Sequence, residues 1–393
     1  MMRVWYKQDD EFLLPRGILT FYFDGLLSNI NPENFNYCIM FVHLVQNSMS
    51  DYSYSAKLSG LEWELINNKN GITLYIEGYD HKQLVLLEKI IDKMINFQID
   101  KTMFEKLKKM FIKELKNMSE ESNFEAHSYL EILLNENMWN KDDLLKACDK
   151  LTIKNLRKFV SQVFKKSHIE CLIYGNFTKI EALKIASIVE LNFKKISKLK
   201  KGKNLSLLNL DRVVNLDPGL HLVYEIMDKM NVTIGTLIYY PREGQSMIEL
   251  NSLLELFAQI IAEPIVQILR NNNKQLSYIR QTKSITLNKS DRLTIYMQSD
   301  KYLQYNELKV DEYLESIKTH INNVTLEEFA KHKESLIINK ISKKPKSMVE
   351  MSAAFWNEIF SKTYSFDRTN MEIECLKNIT KEQILQFYED YTQ

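Results

Sequence analysis

GLEWELINNKNGITLYIEGYD (60–80) holds two strand-like runs joined by the turn residues 67–71, the pattern of a β-hairpin. Upstream, GILTFYF (17–23) is aromatic and β-branched, as a strand is, and NPENFNYCIMFVHLVQNSM (31–49) opens with a turn and continues apolar at helical spacing. Downstream, KQLVLLEKIIDKMINF (82–97) and DKTMFEKLKKMFIKELKNM (100–118) read as helices. In the second of these, Phe104, Leu107, Met110, Phe111, Leu115 and Met118 share one face, and Thr102 to Glu105 spells a T-x-x-E capping box.

The same order of elements returns later in the chain. MIELNSLLELFAQIIAEPIVQIL (247–269) is a helix, LSYIRQTKSITLNKSDRLTIYMQS (276–299) a hairpin, and VDEYLESIKTHI (310–321) the next helix. TLEEFAKHKESLI (325–337) then begins with a second capping box, Thr325 to Glu328. Three pairs measure the repeat: Thr73 to Thr294 is 221 residues, Phe104 to Phe329 is 225, and Thr152 to Thr380 is 228. Offsets this steady across separate elements predict two copies of one α/β domain, each a mostly antiparallel sheet covered by helices.

The copies divide as residues 1–200 and 201–393, with the seam near KKISKLKKGKNLSLLNLDR (194–212), where basic and small residues interrupt the apolar pattern. The first copy continues past its last helix into HIECLIYGNFT (168–178), a strand. The second copy has no such segment before Gln393, so its domain is expected to lack that strand.

Composition narrows the function classes. Lys and Arg number 52 against 51 Asp and Glu, so no global field points to nucleic acid or an acidic membrane surface. No uninterrupted apolar run reaches the roughly 18 residues of a membrane span, and the charged N-terminus lacks the apolar region of a signal peptide. Cys38, Cys148, Cys171 and Cys375 form no C-x-x-C pair, so a cytoplasmic protein with reduced thiols is expected.

Local catalytic motifs are missing. The seven histidines include no pair four residues apart, and none has Glu three positions later, so neither H-E-x-x-H nor H-x-x-E-H occurs. There is no G-x-S-x-G elbow, P-loop or G-x-G-x-x-G. Asp9, Asp10 and Glu11 read as a solvated strand edge, since adjacent strand residues alternate faces. No catalytic residue and no metal ligand is assigned in this chain. NKISKKPKS (339–347), with Lys340, Lys343, Lys344 and Lys346, is either a helix C-terminus complementing its dipole or a site for a polyanion.

VWYKQDDEFLLPRG (4–17), YSAKLSGLEWEL (54–65), LYIEGYDHKQ (74–83), IYGNFTK (173–179), AEPIVQILR (262–270), QLSYI (275–279) and SFDRTNMEIECLKNIT (365–380) resemble the C-terminal half of the pitrilysin or insulinase family of inverted-motif zinc metallopeptidases. The resemblance runs in order over nearly the whole chain. It implies the family's metallopeptidase fold, with 1–200 similar to the third domain and 201–393 to the fourth. It also implies that zinc sits in a separate N-terminal catalytic half, held by H-x-x-E-H and a distal Glu, and that the two halves close a chamber around peptide substrates.

The family's fourth domain reaches toward the substrate with an Arg and a Tyr, which Arg270 and Tyr278 match. The same resemblance supports the lysine cluster as a basic wall. Arg270 and Tyr278 lie eight residues apart, one more than the family spacing, with Ser277 where the family has Gly. The bland alternative for the pair is a helix C-terminal Arg and a Tyr packed in a strand. The resemblance implies a non-catalytic half, inactive alone; the alternative is an inactive scaffold on the same fold.

Overall fold

The computed structural model describes residues 2–117, 122–165, 167–196, 232–239, 245–266, 276–285, 291–299 and 303–392. In chain order they form β1 (Met2–Gln8), β2 (Arg16–Asp24), α1 (Pro32–Ser48), α2 (Ser50–Leu58), β3 (Leu61–Asn68), β4 (Gly71–Tyr79), α3 (Asp80–Ile95) and α4 (Lys101–Asn117). Next come α5 (Ser122–Leu134), α6 (Lys141–Cys148), α7 (Ile153–Val163), β5 (His168–Gly175) and α8 (Lys179–Ile196). The remainder is β6 (Val232–Tyr239), α9 (Met247–Val266), β7 (Leu276–Ile285), β8 (Asp291–Ser299), α10 (Leu303–Asn323), α11 (Leu326–Ser342), α12 (Met348–Phe360), α13 (Arg368–Asn378) and α14 (Lys381–Thr392).

These elements cluster into two compact units. The first contains Met1–Glu120, Glu131–Arg212 and Pro345–Lys362; the second contains Glu121–Leu130, Val213–Lys344 and Thr363–Gln393. Helix α12 thus sits with the first unit, although its sequence position is far beyond residue 200. Of the basic seam at 194–212, only the end of α8 is described.

The first unit is built on a five-stranded sheet ordered β1-β5-β2-β4-β3. β1 runs parallel to β5, and the other neighbours pair antiparallel. The expected hairpin is β3 and β4, in register from Leu61 opposite Gly78 to Asn68 opposite Gly71. β2 is apolar almost throughout because it is buried on both sides. On one face Leu19, Phe21, Leu74 and Ile173 join a core with Phe41, Leu87 and Val189. On the other, Ile18, Leu172 and Tyr174 meet Met348 and Ile359 of α12. Each such side chain contributes about 1.5 to 3 kcal/mol by leaving water.

The edge strand β3 is tied down by side chains: Gln46 Nε2 donates to the Leu65 carbonyl at 3.1 Å, and Trp63 Nε1 donates to Ser53 Oγ at 2.8 Å. The first of these bonds occupies a backbone carbonyl that would otherwise help template another strand.

The second unit has, among the described residues, a three-stranded antiparallel sheet ordered β6-β8-β7. Its core joins Leu250, Phe257 and Ile261 with Leu293, Ile321, Phe329 and Phe387.

The internal repeat is visible element by element. Thr73 lies in β4 and Thr294 in β8, each the strand between two neighbours. α4 and α11 both have 17 residues and start 225 apart (326 minus 101). Thr152 Oγ1 accepts from the Asn155 N–H at the start of α7, and Thr380 Oγ1 accepts from the Gln383 N–H at the start of α14.

The capping box at Thr325 is complete: Thr325 Oγ1 accepts from the Glu328 N–H, and the Glu328 carboxylate accepts from the Thr325 N–H at 2.8 Å. Thr325→Ala is expected to lower stability by about 1 kcal/mol, read as a shifted urea midpoint; an unchanged midpoint would contradict the role given to this cap. The box expected at 102–105 does not start its helix. α4 begins two residues earlier, at Lys101, with Asp100 Oδ1 accepting from the Met103 N–H at 2.6 Å. An aspartate caps as well as a threonine, and this one stands directly before the first helical residue.

Candidate functional site

Tyr278 falls in β7, a strand whose pairing is irregular. Leu276 stands opposite Ser299 and Tyr278 opposite Gln298, so Ser277 is an extra residue in the ladder. A β-bulge bends its strand and re-aims the residues beside it. Arg270 belongs to 267–275, outside the described residues, so only the Tyr278 end of the Arg–Tyr pair has a described backbone.

The lysine cluster divides. Lys340, in the last turn of α11, is not open to a ligand in the way the sequence allowed. Its Nζ lies 2.6 Å from Glu255 Oε2 of α9 and 2.7 Å from Glu372 Oε2 of α13, with only 14% of its side chain exposed. Burial alone would lower this ammonium's pKa, but the hydrogen bonds and charges of the two carboxylates outweigh it and hold the pKa above 10.5. Arg368 adds a longer contact to Glu372, at 3.9 Å. Lys344 Nζ donates to Asn370 Oδ1 at 2.9 Å. Lys343 and Lys346 are exposed, and Lys346 belongs to the first unit with α12, whose N-cap is Ser347. Lys340, Lys343 and Lys344 belong to the second.

The acidic run at 9–11 is not a solvated edge at its first member. Asp9 is buried and accepts from the N–H groups of Glu11, Phe12 and Leu13 and from the Tyr174 hydroxyl at 3.0 Å. Burial pushes its pKa up, yet the N–H of Phe12, the Tyr174 hydroxyl and the other two amides together hold it below the ordinary value. These bonds fold residues 9–13 into a tight turn against β5.

A second buried carboxylate, Glu170, receives Trp5 Nε1 at 3.0 Å and lies 2.8 Å from His168 Nε2 and 3.4 Å from Arg3. Burial opposes its charge, but His168, Trp5 and Arg3 outweigh that and depress the pKa. The cluster fastens the terminal strand β1 to β5. Sequence carried no signal for either network, since both join residues 165 positions apart.

Among the described residues no group of three or more His, Cys, Asp or Glu could hold a metal ion. No zinc-dependent step is assigned to the described residues. No described helix is long and apolar enough to cross a membrane.

The fold defines the class. It matches the crystal structure of pitrilysin with a TM-score of 0.85 over 99% of this chain and 41% of that one, at 14% identity. It matches a protease from Helicobacter pylori with a TM-score of 0.68, covering 96% of this chain and 92% of that one at 11% identity.

Sequence then gives the family. Residues 1–147 match the middle or third domain of peptidase M16, and residues 256–356 match the PQQ synthase PqqF-like C-terminal lobe domain 4. The insulin-degrading enzyme of Bos taurus is 37% identical over 391 residues, 99% of this chain, and that of Drosophila melanogaster is 30% identical over 393. The chain belongs to the M16 metallopeptidase family, whose relatives include zinc proteases. It spans about 38% of the length of the insulin-degrading enzymes it matches.

Proposed function

We propose that this chain forms the non-catalytic C-terminal half of an insulin-degrading-enzyme-like zinc metalloendopeptidase. It closes a degradation chamber against a zinc-bearing N-terminal half, either in a longer chain or as a separate subunit, and contacts the peptide held there. The observation that carries this reading is the alignment of 99% of the chain with a 38% share of the insulin-degrading enzymes, together with matches to a third-domain and a fourth-domain sequence family.

When bound in the other half, zinc supplies the Lewis acid that activates water. The residues of this chain bind and orient. Arg270 offers a planar fork of N–H donors to a peptide carbonyl, and Tyr278 a phenol to the same oxygen as negative charge develops on it. Lys343, Lys344 and Lys346 are offered to a polyanion, without Lys340, whose charge is already matched by Glu255 and Glu372. The compartment that suits free Cys38, Cys148 and Cys171, all buried, is the cytoplasm.

The extra residue at Ser277 favours a second reading, an inactive scaffold on the same fold, because it alters the strand that presents Tyr278. The test of the first reading on the chain by itself joins metal analysis to a fluorogenic peptide assay. The expected result is no stoichiometric zinc and no turnover; zinc at one equivalent with turnover by the isolated chain would overturn the non-catalytic assignment.

A further inference from the structure

Helix α8 is apolar on more than one side. Ala182, Ile185, Ala186, Val189 and Phe193 recur at helical spacing and are buried in the core of the first unit. Ile180, Leu183 and Leu191 lie away from that stripe and are 80%, 56% and 59% exposed. A surface helix carries one apolar stripe, and a helix that is apolar all round is ordinarily enclosed. The outward stripe of α8 is instead in water.

Polar groups on this outer face are already engaged or positively charged. Ser187, between Leu183 and Leu191, donates its hydroxyl to the Lys184 carbonyl at 2.8 Å, so it brings little unmet polarity. The Glu181 carboxylate accepts from the Thr178 N–H and hydroxyl, each at 2.8 Å, and Glu190 lies 2.9 Å from Lys194. Lys184 and Lys195 are exposed, each one turn past an exposed apolar residue, Ile180 and Leu191. The sequence beyond α8, outside the described residues, adds Lys198, Lys200, Lys201 and Lys203 before its next acidic residue, Asp211.

This chemistry selects among partners. Protein interfaces centre on Trp, Tyr and Arg and are depleted in Lys, and single-stranded nucleic acid is held by stacking on aromatic rings. Aliphatic side chains interleaved with lysines suit the boundary between lipid headgroups and acyl chains: the aliphatics enter it, and the lysine stems reach back to the phosphates. We infer that the outer face of α8, formed by Ile180, Leu183, Leu191, Lys184 and Lys195, docks the chain on an anionic lipid bilayer. Apolar insertion and charge attraction are each weak here, and together they make a stable anchor. The near balance of charge over the whole chain does not oppose this, because attraction to a charged surface fades within a Debye length of about 10 Å and is decided locally.

Co-sedimentation of the full chain with vesicles tests the assignment, with equal parts phosphatidylcholine and phosphatidylserine in one arm and phosphatidylcholine alone in the other. The chain should bind the anionic vesicles, less tightly as salt is raised, and the neutral ones about tenfold less well. Ile180→Ser with Leu191→Ser should weaken anionic binding by about tenfold or more, and so should Lys184→Glu with Lys195→Glu. All four positions are exposed, so the thermal midpoint should stay where it is in both variants. Full binding by the serine variant, or equal binding to both kinds of vesicle, would overturn the proposal. So would no binding to either, and a dimer in solution that the serine variant dissolves would then give the face to a second copy of this chain.

Discussion

Lys340→Met is expected to destabilise the second unit by about 3 kcal/mol, since removing one partner from a buried ion-pair network strands the others. Lys340 joins three helices: it extends from α11 and meets Glu255 of α9 and Glu372 of α13. Without it two carboxylates remain near one another, and Glu372 has only 8% of its side chain in water. Glu255 retains 28% exposure, which places the cost at the lower end of the range for buried pairs. The urea midpoint should fall, and Glu372→Gln in the same chain should recover part of the loss.

The pH dependence has a fixed sign. The folded pKa of Lys340 is raised above 10.5, so its stabilisation is fully present below the unfolded value and is lost only as pH rises through the folded one. The gap between the unsubstituted protein and Lys340→Met should therefore be equal at pH 7 and pH 9 and narrow above about 10.5. A gap that closes between pH 7 and 9 would contradict the network.

Gly78→Ala should cost the first unit roughly 3 kcal/mol, or about 6 to 12 °C in Tm for a unit of this size. Gly78 has φ 130°, a region closed to side chains, and a Cβ built there would run into the Gly60 carbonyl oxygen. The conformation is held from both sides. Gly78 stands opposite Gly17 and Leu61, and Gln83 Nε2 donates to the carbonyls of Gly17 at 2.6 Å and Gly78 at 3.0 Å. The bend lets β4 turn directly into α3, whose Gln83 closes it. A thermal unfolding midpoint within about 2 °C of the unsubstituted protein would show that the backbone relaxes there instead.

Much of this fold was legible because its signals are local. The hairpin at 60–80 declares itself through turn residues between two strand-like runs, and the Thr325 box through two residues three apart. The repeat was legible because the same local signals recur in the same order. What escaped depends on distant partners. The parallel pairing of β1 with β5 joins residues 167 positions apart at Met2 and Ile169, and nothing at Met2 announces it.

Charge misled where burial decided the outcome. Asp9 reads like its exposed neighbour Asp10 until Tyr174 and three amides are brought to it. Lys340 reads like Lys343 until Glu255 and Glu372 arrive from other helices. Of the site, Arg270 and Tyr278 could be picked out by resemblance, but the extra residue between them had no visible consequence in sequence. The register of β7 shows a separate departure, an irregularity at Ser277, the position where the family has Gly.

The central claim is that this chain completes a peptidase it cannot be alone. It is tested most directly by adding it to a separately expressed zinc-bearing half of an M16 peptidase and following cleavage of a fluorogenic peptide. The account predicts that turnover appears only with both halves, and that Arg270→Ala or Tyr278→Phe lowers kcat/KM by about 100-fold, the scale for losing one donor to a developing oxyanion. Stable assembly of the two halves with no gain in turnover, or full activity from either variant, would contradict it.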